Sequence, residues 1–433
     1  MMSKKINLSR RQWLSQVAQF SAAGAAISAF PAIAANASAH VVIVGGGFGG
    51  ATAARYVKRF NPSIKVTLIE PSKTFYTCPF SNLVLGGLRS MEQIAHSYDH
   101  LKAFGIDVIH DYVTAIDADK KTVRLQSDND ISYDRLLLSP GIDFRWNALE
   151  GYDEAAAERA PHAWKAGAQT VLLKKQLEAM PDDGNFVMVV PEAPFRCPPG
   201  PYERASMVAH YLKHHKPKAK LIILDAQENF SKQALFEQGW NKFYADIIER
   251  IPLSLGGKVT RIDAKALVAE TEFGDVIKAD VLNVIPPQQA GLIAQQAGVT
   301  NESLWAPINP NTFESTLIPG IYVVGDATIA APMPKSGFSA NTQAKVAAAA
   351  IVADLAGKEA TQAHYANTCY SLIAPDYGIS VAGAYTALDG KMVERSGGVS
   401  PMDGDADFRK READYGANWY EAICYDIWGT KFA

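Results

Sequence analysis

His40-Val-Val-Ile-Val-Gly45-Gly-Gly47-Phe-Gly-Gly50 is an apolar, β-branched run that stops abruptly in glycines. A strand buried on both faces requires such a run, and the glycines mark where strand gives way to helix. In the spacing Gly45-x-Gly47-x-x-Gly50, the first glycine permits a tight turn, the second lets backbone approach a pyrophosphate, and the third permits close helix–strand packing. The glycine spacing alone is weak evidence, and its surroundings decide the matter. Lys65-Val-Thr-Leu-Ile-Glu70 predicts a second strand, ending in an acid about 20 residues past Gly50, where Glu70 can accept hydrogen bonds from an adenosine ribose. The chain therefore opens on a dinucleotide-binding unit.

Which dinucleotide it binds is decided far downstream, at Thr316-Leu-Ile-Pro-Gly-Ile-Tyr-Val-Val-Gly325-Asp326-Ala327, followed after a loop by a helical pattern over Ser339–Leu355. This segment resembles the second FAD motif of the pyridine nucleotide-disulfide reductase superfamily. The resemblance implies that a strand delivers Asp326 to a ribityl hydroxyl, that Gly325 allows close backbone approach, and that the next helix N-terminus stabilises negative charge on the flavin. Tyr133-Asp-Arg-Leu-Leu-Leu-Ser-Pro-Gly141 resembles the superfamily's third marker, the strand that returns the chain near the flavin.

A second Rossmann-like unit is expected from Phe186-Val-Met-Val-Val190 and Ala219-Lys-Leu-Ile-Ile-Leu-Asp225. The loop after its first strand is Pro191-Glu-Ala-Pro-Phe-Arg-Cys197-Pro-Pro-Gly-Pro-Tyr-Glu203. Prolines lack the N–H donors that a pyrophosphate needs, and no Gly-x-Gly is present, so this loop is badly suited to a nicotinamide dinucleotide. A cysteine stands there instead. Cys197 is either a buried core thiol or, on a stiff loop at the carboxyl end of a parallel strand, a functional group facing the flavin crevice.

Composition sets the limits on the rest. The 433 residues, 48% hydrophobic and 20% charged, suffice for two or three globular domains. A net charge of −3 without any basic run excludes nucleic acid as a partner. Residues 1–39 read as a targeting segment, with Lys4 and Lys5, then Ser9-Arg10-Arg11-Gln12-Trp13-Leu14, an Ala-rich stretch, and Ala37-Ser38-Ala39 as a cleavage site. The paired arginines resemble the twin-arginine export signal, which implies a periplasmic protein that crosses the membrane already folded. Gln16, Gln19, Gly24 and Pro31 make the stretch weaker than a spanning anchor, so no transmembrane anchor is expected in the mature chain. Removing the segment takes away four cationic residues and no acid, leaving an acidic mature surface. Four cysteines in so long a chain are too few for a disulfide scaffold and imply particular jobs.

Together the motifs resemble the flavoprotein subunit of flavocytochrome c sulfide dehydrogenase, over essentially all of the mature sequence. Four segments carry the resemblance: Phe75-Tyr-Thr-Cys78-Pro-Phe-Ser-Asn82, Cys197-Pro-Pro-Gly-Pro-Tyr-Glu203, Asp280-Val-Leu-Asn-Val-Ile-Pro-Pro287 and Asn367-Thr-Cys369-Tyr-Ser-Leu-Ile-Ala-Pro-Asp-Tyr377. The resemblance implies that Cys78 carries FAD through an 8α-thioether and that Cys197 and Cys369 form a redox disulfide beside the ring. It leaves open which cysteine takes the sulfur. Glu203 matches the family's acid near the disulfide, where it could move protons, although a Glu in a loop also reads as a solvated charge. Cys424 has no match and is either a buried thiol or a competitor of Cys197 for Cys369. The C-terminal aromatics Tyr377, Tyr385, Trp419, Tyr420, Tyr425 and Trp428 resemble the domain that lies over the flavin and helps dock a cytochrome, and most also read as core residues.

The expected architecture is α/β: two Rossmann-like dinucleotide-binding domains with a C-terminal α+β domain. The FAD domain is expected at 40–150 and 285–360, the second unit without its NAD loop at 151–284, and the C-terminal interface domain at 361–433. The expected activity is oxidation of sulfide, with electrons passed to a c-type cytochrome, because the chain has no haem attachment motif of its own. No metal is expected. A sulfide:quinone oxidoreductase, which would need an amphipathic membrane-binding C-terminus, and a non-catalytic flavin-binding partner protein are the rival readings.

Overall fold

A computed structural model describes residues 39–429; the export segment read at 1–39 lies outside it but for Ala39. The first sheet is parallel throughout, its strands ordered Ile321–Val323, Arg135–Leu138, His40–Val44, Lys65–Ile69 and Asp107–Ile109. Val41, Val42 and Ile43 are fully buried, as a strand covered on both faces requires. The helix Phe48–Phe60 follows the glycine turn and buries Ala51, Ala53, Ala54 and Val57. Its small residues let the long helix Gly337–Leu355, itself Ala-rich, pack closely against it. The strand Ile321–Val323 thus returns a distant stretch of chain to the sheet begun at His40.

The second sheet repeats this pattern, with parallel strands ordered Ile248–Ile251, Lys220–Asp225, Asn185–Val190 and Val281–Val284. The helix after its first strand starts at Gly200, with Pro201 in the first turn, where a missing N–H costs nothing. Glu203 therefore stands on the first turn of the helix Gly200–His215 and not in a loop. Tyr202, Ala205, Val208 and Leu212 bury the helix against the sheet.

The C-terminal unit is an antiparallel sheet of His364–Ala374, Tyr377–Leu388 and Lys391–Val399, backed by the helix Ala406–Trp428. The end of this helix is pinned to the start of the fold. Trp428 is fully buried, stacked on Phe75 and His96 and edge-on to Phe48. Arg55 donates to the carbonyls of Tyr425 and Asp426, and the Asp426 carboxylate takes the Tyr56 hydroxyl at 2.7 Å and the Lys345 ammonium at 2.8 Å. Of the C-terminal aromatics, Tyr377, Tyr385, Tyr420 and Trp428 are core residues, Trp419 is partly buried, and Tyr425 stays 47% exposed. No helix among the described residues is long and apolar enough to cross a membrane.

Candidate active site

The first glycine turn is built so tightly that side chains are excluded. A Cβ on Gly45, at φ +97°, would lie 2.3 Å from the Ser139 carbonyl oxygen, and one on Gly50 would lie 1.8 Å from that of Gly45. Gly47 caps the helix Phe48–Phe60 without any side-chain hydrogen bond, leaving the N-terminal amides free to meet an anion. Glu70 sits at the mouth of the turn, its two oxygens accepting the N–H groups of Gly46 at 2.8 Å and Ser72 at 2.9 Å.

The second motif supplies a sharper test of fit to FAD. Gly325, at φ +81°, donates its N–H to Gln343 at 2.8 Å, which fixes the turn that carries Asp326. Asp326 Oδ1 is buried with no hydrogen-bond partner. A buried carboxylate oxygen left unpaired costs on the order of 1–3 kcal/mol, so the position suits a ligand hydroxyl of the kind a ribityl chain presents. Burial alone pushes the Asp326 carboxyl above the usual range, and Lys335 and Arg196 oppose that. The Lys335 ammonium donates to the Asp326 and Thr328 carbonyls and lies 3.7 Å from the centre of the Trp305 ring.

Two thiols near this motif, one on a loop and one on a strand, lie within each other's electrostatic reach. Cys197 adopts φ +57°, donates its N–H to the Lys335 carbonyl at 2.8 Å, and accepts the Gly200 N–H on its own carbonyl at 2.8 Å. A Cβ on Gly200 would lie 2.9 Å from Trp164 and 3.0 Å from the Cys197 sulfur, so a glycine is needed to let the loop close. Cys369 sits in the strand His364–Ala374, where the Asn367 amide donates to its sulfur at 3.4 Å. The Asn367 carbonyl oxygen in turn accepts the hydroxyl of Ser336, the N-cap of Gly337–Leu355, at 2.6 Å. Burial pushes both thiols up; negative charge on Cys369 adds to the effect at Cys197, while Lys232 pulls Cys369 back down. The Cys197–Cys369 bond that the resemblance implies is not formed in this structure, where all four cysteines are unbridged.

Glu203 is held, not solvated. One oxygen accepts the Asn82 amide at 2.9 Å and the other the Leu372 N–H at 3.0 Å, while burial raises its carboxyl above the usual range. The loop reading of this residue failed because the helix begins at Gly200, inside the proline-rich run, with Pro201 in its first turn. The Cys78 sulfur lies 3.4 Å from the Trp164 carbonyl. The fully buried Arg204 guanidinium lies in the fields of both Cys78 and Cys197, stacks 4.8 Å from the Trp164 ring centre, and hydrogen-bonds Asn82 and Asn283. Cys424 is elsewhere: it is buried on the C-terminal helix beside Tyr420 and Arg89. Asn82 and Asn367 lie inside segments that the sequence singles out, whereas Lys232, Arg204 and Trp164 carry no local signal. Among the described residues no group of three or more His, Cys, Asp or Glu could hold a metal.

The corresponding crevice of the second sheet is filled. Asp225, at the end of its strand, is fully buried in an ion pair with Arg250 at 2.8 Å and accepts the Tyr202 hydroxyl at 2.8 Å. The Tyr202 ring stacks on Phe230 with centroids 3.5 Å apart.

Two Rossmann-like sheets, a glycine turn with its acid, and a distant Gly-Asp turn define a flavoprotein of the pyridine nucleotide-disulphide oxidoreductase class, whose family model matches residues 39–178. Residues 170–286 match the model described as sulfide dehydrogenase (flavocytochrome c) flavoprotein chain, central, and 361–428 that of flavocytochrome c sulphide dehydrogenase, flavin-binding. The chain belongs to the flavocytochrome c sulfide dehydrogenase flavoprotein family, an FAD-binding, sulfide-oxidising group of oxidoreductases. It is 64% identical over 44 residues to the sulfide dehydrogenase flavoprotein chain of Chlorobaculum thiosulfatiphilum, a match covering 10% of this chain and 92% of the relative. It is also 26% identical over 306 residues to the mitochondrial sulfide:quinone oxidoreductase of Mus musculus, covering 66% of this chain and 65% of that one, just under two thirds of the relative's length. The fold is similar to that of the Aquifex aeolicus sulfide:quinone oxidoreductase, with a TM-score of 0.68 at 19% identity over 91% of this chain and 93% of the other.

Proposed function

We propose that this protein is an exported sulfide dehydrogenase flavoprotein that oxidises sulfide through a Cys197–Cys369 disulfide and passes the electrons to a c-type cytochrome in the periplasm. The single observation carrying this reading is the convergence of Cys197, Cys369 and the buried Glu203, from a loop, a strand and a helix, next to the Asp326 turn. Hydrosulfide attacks one sulfur of the disulfide, so that one S–S bond forms as the Cys197–Cys369 bond breaks, leaving a persulfide on one cysteine and a thiolate on the other. Loss of two electrons and one proton then joins the thiolate sulfur to the persulfide sulfur. Glu203 takes the proton, which a carboxylate with a raised affinity does well. FAD, when bound there, supplies the two-electron acceptor. A second hydrosulfide removes the added sulfur as HSS⁻ and restores the original bond. Cys78, against the Trp164 carbonyl, is the residue we assign to a covalent flavin link.

Anaerobic titration of the purified protein with sulfide tests the whole reading. Wild-type flavin should bleach, and Cys197→Ser should keep its FAD but not bleach; retained bleaching in that variant removes the disulfide mechanism. Acid precipitation should leave the yellow colour in the pellet, attached to the Cys78 peptide. The long similarity to sulfide:quinone oxidoreductases supports quinone as a second acceptor reading, while the match of 361–428 to the flavocytochrome c model favours the cytochrome. Stopped-flow mixing of sulfide-reduced protein with cytochrome c or a quinone analogue separates the two.

A further inference from the structure

Beneath the thiols lies a lysine that the chemistry above does not use. Lys232 is 7% exposed, and its ammonium donates to the Cys369 carbonyl at 3.0 Å and the Ser371 hydroxyl at 2.8 Å. It makes no ion pair within 4.0 Å among the described residues. Its backbone is in the left-handed region, φ +62°, at the start of the helix Gln233–Phe243, where a non-glycine residue is strained. An unpaired buried cation on a strained backbone is expensive twice over, and ordinary packing would replace it with an apolar residue.

The charged groups around it show what the cation can serve. From the helix Gly200–His215 comes Glu203, already engaged by Asn82 and the Leu372 N–H; from the C-terminal helix comes Glu412, engaged by Arg409, Ser380 and Ser400. The remaining two are Cys197 on its loop and Cys369 on the strand to which Lys232 is anchored. Both carboxylates have other partners, and both thiols become anions only when their bond opens. Lys232 heads the influences that draw the Cys369 thiol down, and Cys369 heads those that keep the lysine charged against burial, which lowers it to about 8.

We infer that Lys232 is a positioning cation for the redox pair: fixed on the Cys369 carbonyl, it holds the anion released by opening of the Cys197–Cys369 bond at Cys369. This rests on the disulfide reading above but not on sulfide as the reductant. No atom is transferred to or from the lysine. It stabilises one of the two thiolates that the S–S cleavage can generate.

The test titrates the thiols themselves. Holoprotein reduced by dithiothreitol under argon is pulsed with iodoacetamide from pH 6 to 10, and carbamidomethylation of Cys197 and Cys369 is read by mass spectrometry. Lys232→Gln keeps hydrogen-bond donors and loses the charge; the Cys369 midpoint should rise by at least about one pH unit, about a tenfold slower reaction below the midpoint, with a smaller change at Cys197. Lys232→Arg keeps the charge and should not react more slowly at Cys369 than wild type. Coincident profiles for Lys232→Gln and wild type, or equal shifts in the Gln and Arg variants, would overturn the inference. Should Lys232→Gln lose its flavin, the Arg variant decides alone: burial draws the lysine down to about 8 whereas arginine stays charged, so above that pH Cys369 should react faster in Lys232→Arg than in wild type. Identical curves would again overturn it. Because no sulfide is used, failure here leaves the sulfide reading intact, and failure of sulfide to bleach the wild-type flavin leaves this result standing.

Discussion

The two nucleotide-type crevices of this chain have the same strand–helix–strand frame and opposite contents. In the first, Gly45, Gly47 and Gly50 leave no side chain between strand and helix, and Glu70 remains at the mouth, aligned by two backbone N–H groups. In the second, the acid at the same place, Asp225, is turned inward and consumed by Arg250 and Tyr202, while Tyr202 and Phe230 stack across the space. The loop that would have carried glycines carries Cys197 instead. A parallel sheet is thus stable with or without its ligand, provided that the buried acid finds a partner. What decides ligand binding is whether that partner is foreign or part of the chain.

The comparison is broken most directly at Gly50. Gly50→Val would drive its side chain into the Gly45 carbonyl and should give colourless protein, measured as flavin absorbance per chain after purification; a yellow variant would mean that the first crevice is not the FAD site. At the second crevice, micromolar NADH should neither bleach the flavin anaerobically nor bind in calorimetry. Asp225→Asn should not change that but should lower stability by about 3 kcal/mol in urea unfolding, because it strands Arg250.

Smaller effects come from buried histidines. His162, beside Arg204, is held down to about 3, first by burial and then by the charges of Arg204, Lys165 and Arg196. The folded state refuses a proton that the unfolded chain accepts below about pH 6.5, so this contribution is intact above that pH and is lost as pH falls. Between pH 6.5 and 5 it should remove about 1–2 kcal/mol, and His162→Gln should flatten that part of the curve. The smallest change belongs to Cys424→Ser. Its thiol lies with Tyr420 and Arg89, apart from the redox pair, so sulfide-dependent bleaching should be unchanged and stability altered by at most about 1 kcal/mol.

These contrasts also explain what was legible in the sequence. The strand His40–Val44, its glycines and Glu70 can be read because backbone geometry forces residue type at fixed spacing. The Asp326 turn and the cysteine segments were legible through their resemblance to a known family. Lys232 was not, because a buried lysine is recognised only by what surrounds it, and its surroundings come from 137 and 139 residues away. Glu203 was visible as a candidate acid, but its setting was not: it stands on a helix where a loop was expected, and nothing local says that Asn82 and Leu372 will close over it. The filling of the second crevice was half legible. The prolines announced the lost loop, but the Asp225–Arg250 pair depends on which strand lies next to which, and that is topology.

The pinning of the C-terminal helix to the first one bears on how the protein is made. A ribosome delivers Phe48 and Phe75 early, yet the indole that covers both belongs to Trp428, and the carbonyls that receive Arg55 belong to Tyr425 and Asp426. The first domain must therefore wait, with an aromatic patch uncovered, until synthesis has passed Trp428. During that interval a nascent chain exposes a surface that chaperones bind and that aggregation exploits. A premature stop only a few codons before Trp428 would then be felt in the first domain, far back along the chain.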